Sequence, residues 1–436
     1  MDPITIGTIA LAAMIGAVAG GVPVGIAMIG VASLGMYLSA GWLFMLTTLE
    51  TLPFAVSADY AFVVLPMFML MGALTSQTGI TGELYTAAHR WVSGMRGGLY
   101  YATILASGAF GAINGSTVVS AVLFTKIALP EMIKHGYNKG ISAAAICCAG
   151  TFAALIPPSI ALILYGLLTN ESVGALLIAG VVPGLLTIAI YMLGVGVMLR
   201  FKPSWAPSLD VKFSFKEKMT SLKPLWAIVI LIVLVMGGIY TGAIFPSAAG
   251  AVGSAGAIVI AIMRRRMPAD KFWAALRESL SITAALFLII IGGLLFSRLL
   301  LVSGFVSTIT DVMIAMELTP ALFVAMVIVL YLVLGMFVDS ISLMVMTIPV
   351  LHPIAVAFGL DPIWFGVVIV KLIELAVITP PVGLNLYAVI GASEGKVSSA
   401  ELFRGVVPFI LFELVTLAII IAVPQLTLWM PGQMMQ

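Results

Sequence analysis

The chain has 436 residues, of which 62% are hydrophobic and 9% charged, and its formal net charge is +2. Soluble domains carry about 25% charged residues, so a soluble enzyme is excluded; the net charge of +2 argues nothing about partners, and nucleic acid is not expected as one. Apolar runs of about 20 residues recur along the whole length, so the lipid bilayer is the solvent and the fold class is an all-α polytopic membrane protein.

The chain opens Met1-Asp2-Pro3, without the basic start of a cleavable signal, so the first apolar run is expected to be retained. Crossings are predicted at about 4–22, 24–40 and 55–76, with a loop around 42–54 whose only charge is Glu50. Next come His89, Arg90 and Arg96, then an apolar segment at about 100–124, then Lys126, Lys134 and Lys139. Basic flanks on both sides predict that this segment enters and leaves on one side as a re-entrant hairpin. Its midpoint, Ala112-Ile113-Asn114-Gly115-Ser116-Thr117, is polar and glycine-bearing, as a hairpin tip must be. A helix at about 141–169 is interrupted by Ile156-Pro157-Pro158-Ser159. Two prolines remove backbone donors and break the hydrogen-bond ladder. In hydrocarbon such a break is tolerated where the freed groups face protein, water or a ligand. Cys147 and Cys148 lie in the same apolar run and read as small packing residues, too few for a metal or redox centre. A crossing at about 173–199 and a polar, basic connector at 203–223, expected along the membrane surface, close the first half.

The second half repeats this order. The proline pair returns as Thr379-Pro380-Pro381-Val382, 223 positions on (380 − 157). Pro23 matches Pro246, Gly30 matches Gly253, Pro130 matches Pro353 and Gly136 matches Gly359 at the same spacing; Gly180-Val181-Val182-Pro183 recurs as Gly405-Val406-Val407-Pro408, offset by 225. A near-constant offset predicts a duplication, with repeats at 1–210 and 211–436. The second hairpin then falls at about 325–350, with Phe337-Val338-Asp339-Ser340-Ile341-Ser342 at its tip, and the second broken helix at about 363–390.

Lys and Arg accumulate on cytoplasmic loops. The stretch with Arg264, Arg265, Arg266, Lys271 and Arg277 matches the base-free 42–54. His89, Arg90 and Arg96 match a stretch with Asp311 and Glu317, and Lys126, Lys134 and Lys139 match one with His352 and Asp361. The connector carries Arg200, Lys202, Lys212, Lys216, Lys218 and Lys223, whereas the tail from Gln425 has no base. Every basic loop has a non-basic partner. Two inverted-topology repeats follow, each with five crossings, one of them broken, plus a re-entrant hairpin, with both termini outside and the connector inside.

Tips and breaks are expected to meet near the bilayer midplane, where half-helix ends offer carbonyls to a cation and amides to an anion. The hydroxyls and amides at hand are Asn114, Ser116, Thr117, Thr151, Ser159, Ser340, Ser342, Thr379 and Asn385, hard oxygen ligands suited to sodium and unaccompanied by Cys/His clusters. The alternative for each hydroxyl is a bond back to its own helix. Asp339 either stabilises a bound cation or caps a half-helix. Lys371 and Glu374, three apart on one helix face, form an internal ion pair or attract substrate. Arg298 snorkels to the headgroups or contacts a partner helix. The three histidines, His89, His135 and His352, fall in or near predicted loops. No phosphate-binding loop, zinc-protease helix or serine nucleophile elbow is present, so the chain reads as no enzyme and the energy source as an ion gradient.

Gly335-Met336-Phe337-Val338-Asp339, Phe365-Gly366-Val367-Val368 and Ile378-Thr379-Pro380-Pro381-Val382-Gly383-Leu384-Asn385-Leu386-Tyr387 resemble the large membrane subunit of TRAP transporters (tripartite ATP-independent periplasmic transporters, the DctM-like family). So do Gly97-Gly98-Leu99, the Gly115-Ser116 tip and Ile156-Pro157-Pro158-Ser159, and the likeness covers essentially the whole chain. The resemblance implies an elevator mechanism in the bacterial inner membrane, with sodium as coupling ion, no other cofactor, and uptake of an organic acid, usually a carboxylate. It also implies two partners, a small four-helix membrane subunit and a periplasmic substrate-binding protein. Carried over residue by residue, Asn114, Gly115 and Ser116 with Pro157 and Pro158 correspond to one sodium region. Asp339 and Ser340 with Thr379, Pro380, Pro381 and Gly383 correspond to the other. Thr117, Ser159, Ser342 and Asn385 are left for substrate. The chain departs from the family pattern at Ser120, where an acidic residue is common, and at Pro246-Ser247-Ala248-Ala249, where Pro-Thr-Glu-Ala is common. Alternative readings are a free-standing ion-coupled carboxylate carrier and an ion channel or scaffold subunit.

Overall fold

The computed structural model describes residues 3–207 and 213–434, and every regular element among them is a helix. Met1, Asp2, Lys212 and the repeat boundary at 210–211 lie outside the described residues. Among the described residues seven helical stretches are long and apolar enough to cross a membrane, and shorter apolar helices accompany them.

The chain opens with α1 (Pro3–Ala19) and α2 (Val24–Ala40), both apolar on all faces, as a lipid-embedded helix can be. The stretch expected as a loop at 42–54 is instead helix α3 (Trp42–Ala58). Its Thr47, Thr48 and Thr51 return their hydroxyls to the carbonyls of Leu43, Phe44 and Thr47, so the polar residues are satisfied inside the helix. Glu50 and Pro53 therefore do not break it. The crossing expected at 55–76 begins later, after Asp59 caps a 3₁₀ turn by accepting from the Ala61 amide at 2.9 Å, and runs as α4 (Val64–Gln77). Helix α5 (Ile80–Val92) places Glu83 in its first turn and His89 and Arg90 in its last, matching the helix dipole.

The first hairpin is longer than expected, with arms α6 (Gly98–Asn114) and α7 (Thr117–Lys134), because Lys126 lies within the second arm. The broken helix comprises α8 (Lys139–Gly150), a 3₁₀ turn (Thr151–Ala154) and α9 (Ile160–Thr169). After it come α10 (Val173–Ala179) and α11 (Val181–Phe201), joined at Gly180, whose backbone presses on the break: a Cβ there would lie 2.5 Å from the Leu155 oxygen. The connector leads into α12 (Phe215–Leu222), opened by a Ser214/Glu217 capping box. It is pinned to the hairpin base, since Trp205 O accepts from Tyr100 Oη at 2.9 Å and from the Asn138 amide at 3.0 Å.

The second half runs through α13 (Trp226–Ile232), a π-helical stretch (Val233–Gly237) and α14 (Gly238–Tyr240), then α15 (Pro246–Met263), α16 (Ala269–Val302) and α17 (Phe305–Ala315). Its hairpin arms are α18 (Pro320–Gly335) and α19 (Ser340–Ala357); its broken helix is α20 (Pro362–Val377) and α21 (Leu384–Ala392). Helices α22 (Ser399–Ala422) and α23 (Gln425–Met434) close the chain. The first half separates α3 from α4, whereas the second runs one 34-residue helix, α16, out of the stretch expected to be a basic loop. Arg264 and Arg266, just past α15, instead clamp Glu83 of α5 at 2.7 and 2.5 Å.

Small residues let α8 of the first broken helix sink into the interior, the packing mode available where lipid competes equally for large apolar side chains. Helix α8 is buried from Gly140 to Gly150, Cys147 and Cys148 included, and α20 is buried from Trp364 to Val377. Helices α8 and α22 cross where a Cβ on Gly405 would lie 2.3 Å from the Gly140 oxygen, so only glycine fits. Glycines also seat the first hairpin on its break: a Cβ on Gly111 would lie 3.0 Å from the Ala153 backbone, and one on Gly150 3.0 Å from the Ala121 amide.

Candidate functional site

Each hairpin tip is built from a helix end and a helix start. In the first, Gly115 terminates α6 in the left-handed region (φ +64°), and Ser116 begins α7 by accepting from the Val119 amide at 3.4 Å. Glycine is needed at 115 both for that φ and because a Cβ would lie 3.0 Å from the Pro158 oxygen of the first break. Asn114 ties the tip to itself, its Nδ2 donating to Ser116 O at 3.0 Å and to Ser120 Oγ at 3.2 Å. The residue that departs from the family pattern, Ser120, thus braces the tip through a neutral hydroxyl.

In the second tip Asp339 caps α19, one carboxylate oxygen accepting from the Ile341 and Ser342 amides at 3.1 Å each. The capping alternative is what the side chain does, and its other oxygen is left over. Here too tip and break touch, the Gly383 amide donating to Met336 O at 3.2 Å.

The two breaks differ. In the first, the Ser159 hydroxyl caps α9 by accepting from the Leu162 amide at 3.1 Å and donates to Ala154 O, so it is spent locally. Thr151 likewise returns its hydroxyl to Cys148 O. In the second, Thr379 donates to Leu375 O at 2.6 Å, and α21 starts at Gly383 with no side-chain cap. Gly383 has φ +54°, and a Cβ on it would lie 3.0 Å from Val377 O and 3.1 Å from Thr379 O. Its missing side chain lets two carbonyls converge on one point of the chain. Both proline pairs, Pro157–Pro158 and Pro380–Pro381, are joined by cis peptides.

Between these parts lies a cavity of about 160 Å³. Asn114, Gly115, Ser116 and Thr117 line it from the first tip, Asp339 and Ser340 from the second, and Ile160 and Asn385 from the helices that follow the breaks. Of the residues expected to hold ion or substrate, Pro157, Pro158, Ser159, Ser342, Thr379, Pro380 and Gly383 are not among those lining it. Thr117 Oγ1 donates to Asn385 Oδ1 at 3.4 Å across the two halves, which leaves the fully buried Nδ2 of Asn385 without a partner. Ser342 Oγ is also buried and unpaired.

Two features escaped the sequence. Glu278 and Ile282 of α16, with Met69 and Ala73 of α4, form a further wall of the cavity. Glu278 follows Arg277 directly, and a basic stretch taken as a loop gave no reason to place it inside; the unbroken apolar pattern beyond it was the available signal. The second feature is a buried charge cluster. Lys371 Nζ lies 2.7 Å from Glu374 Oε2, as expected, but it also contacts Glu413 of α22 and donates to Thr187 of α11 at 3.2 Å. Tyr191 donates to the other Glu413 oxygen at 2.5 Å. All three charged side chains are fully buried. Arg298 contacts a partner helix, its guanidinium lying 5.9 Å from the Phe44 ring centroid of α3.

The chain matches the family described as "Tripartite ATP-independent periplasmic transporter, DctM component" over residues 11–426. It is 35% identical to the C4-dicarboxylate TRAP transporter large permease protein DctM of Pseudomonas aeruginosa, over 87% of this chain and 88% of that protein. It is 28% identical to the sialic acid TRAP transporter large permease protein SiaM of Vibrio cholerae, over 86% of each. Among solved structures it resembles the YdaH transporter of Alcanivorax borkumensis with a TM-score of 0.60, covering 88% of each chain at 15% identity, a likeness of fold alone.

Proposed function

The chain belongs to the DctM family of tripartite ATP-independent periplasmic transporters, and we propose that it drives sodium-coupled uptake of a small organic acid, a carboxylate, across the bacterial inner membrane. The observation that carries this reading is the single cavity onto which both tips and both helices after the breaks converge. Among the described residues lining it there is no Lys, Arg or His, while Asp339 and Glu278 are acidic. A carboxylate entering such a cavity has no side-chain cation to meet it, so its charge is balanced by ions that enter with it and by helix-start amides.

In this reading Asn114, Gly115 and Ser116 with Pro157 and Pro158 hold one sodium ion. Asp339 and Ser340 with Thr379, Pro380, Pro381 and Gly383 hold the other, through hard main-chain and side-chain oxygens. The substrate carboxylate sits at the uncapped start of α21, where the Leu384 and Asn385 backbone amides donate to no other group among the described residues, beside Thr117 and the orphaned Asn385 side-chain amide. Ser159 and Ser342 support this arrangement from behind.

The two halves are inverted repeats, which the charge pattern of the loops supports, with both termini periplasmic and the connector cytoplasmic. Matching helices such as α7 and α19, each 18 residues long and 223 positions apart, supply the equivalent parts. The hairpins and broken helices move together as an elevator against the remaining helices, aided by a small four-helix subunit and supplied by a periplasmic binding protein. Uptake into proteoliposomes, with the small subunit and the binding protein present, tests this. Full-rate transport without sodium, or without the binding protein, refutes it, and current that does not saturate with organic acid would mark a channel.

A further inference from the structure

The reading of the cavity as the substrate site leaves one charge unexplained. Glu278 lines that cavity, yet among the described residues it has neither an ion-pair nor a hydrogen-bond partner. A carboxylate on the wall of a cavity meant for an anion repels it unless something positive lies between them. A hard cation asks for several oxygen ligands, and the other residues that line the cavity from α4 and α16, namely Met69, Ala73 and Ile282, bring no side-chain oxygen. Helices α4 and α16 hold this wall together, Ser279 donating to Pro66 O at 3.3 Å and Thr283 touching Met69 Sδ at 3.6 Å. An apolar wall with a single carboxylate suits an organic cation, whose carbon skeleton packs while its nitrogen meets the charge. The second polar feature, the fully buried Asn385 amide with an unused donor, suits an acceptor such as a carboxylate.

We propose that the substrate is a small zwitterion, with its carboxylate at Asn385, Thr117 and the start of α21, and its cationic nitrogen at Glu278. The inference rests on the carboxylate-permease reading and narrows it. Specificity then comes from the permease as well as from any partner, because an acid lacking the nitrogen leaves Glu278 unpaired in the loaded cavity. Losing a charge-assisted contact of this kind weakens binding roughly tenfold to a hundredfold.

Matched probe pairs test it on the purified permease with its small subunit, by thermal shift in sodium. Glycine betaine is compared with 3,3-dimethylbutanoate, and 4-aminobutyrate with pentanoate; each acid copies its zwitterion with carbon in place of nitrogen. The expected result is a rise in melting temperature with at least one zwitterion, none with its acid, and loss of that rise in Glu278→Gln. Equal shifts from acid and zwitterion, no shift from either zwitterion, or a Glu278→Gln protein that still discriminates each overturns the inference. Should Glu278→Gln not fold, the wild-type pair comparison decides alone. Equal binding of acids leaves the sodium-coupled carboxylate reading standing, whereas sodium-independent uptake refutes that reading by itself.

Discussion

Replacing Gly383 with Ala tests whether the second break is built to gather carbonyl oxygens. Its φ of +54° lies in the left-handed region, where a side chain costs about 1–2 kcal/mol. The added Cβ would also lie 3.0 Å from Val377 O, 3.1 Å from Thr379 O and 2.8 Å from Leu386 Cδ1. The leucine methyl can turn away, but the two carbonyls can yield only by moving the backbone that shapes the break. If the sodium-bound state carries the whole penalty, about 1–2 kcal/mol weakens sodium binding roughly 5- to 30-fold. Melting temperature measured against sodium concentration reads this directly, because a ligand that binds only the folded state stabilises it by mass action. Gly391→Ala in α21 is the control: nothing lies within 4 Å of its added Cβ, so it should gain about 0.5–1 kcal/mol of helix stability. A folded Gly383→Ala protein with an unchanged sodium midpoint, or an equal loss in Gly391→Ala, would refute the reasoning.

Ser116→Ala and Thr379→Ala should weaken sodium dependence more than assembly. The Ser116 cap is long at 3.4 Å, so its loss falls at the low end of about 0.5–2 kcal/mol; wild-type sodium dependence of uptake in both variants sinks the ligand assignment. Asn385→Ala should depress substrate-induced stabilisation while leaving the sodium-induced shift intact, and the reverse pattern would move Asn385 to the ion site. Lys371→Met strands two buried carboxylates and should cost about 3–5 kcal/mol; a variant as resistant to heating in detergent as wild type would show the cluster contributes little.

The all-helical membrane class was legible in the chain, and so were the helix ends at Asn114 to Thr117, before Ser340 and at both proline pairs. Each depends on local chemistry, whether apolar run length, proline's missing amide or the need for glycine at a tight tip. Legibility failed where local composition misled. Three threonines, Glu50 and Pro53 made α3 look like a loop, though the hydroxyls are satisfied within one helical turn. The arginines at 264–266 marked a loop correctly, but the bases beyond them start a 34-residue helix.

What residue types and spacing determine by themselves is that the chain belongs in a membrane and where the backbone must break, because those constraints act along the chain. They also single out Asn114, Ser116, Asp339 and Asn385, polar groups too costly to leave in hydrocarbon without use. Only the tertiary structure decides which of them share a cavity, since Thr117 meets Asn385 across 268 positions of sequence. It alone brings Glu413 and Tyr191 to the Lys371 pair and sets Glu278 in the lining of the cavity. A charge's partner is set by distance in space, and no periodicity along a helix carries that information.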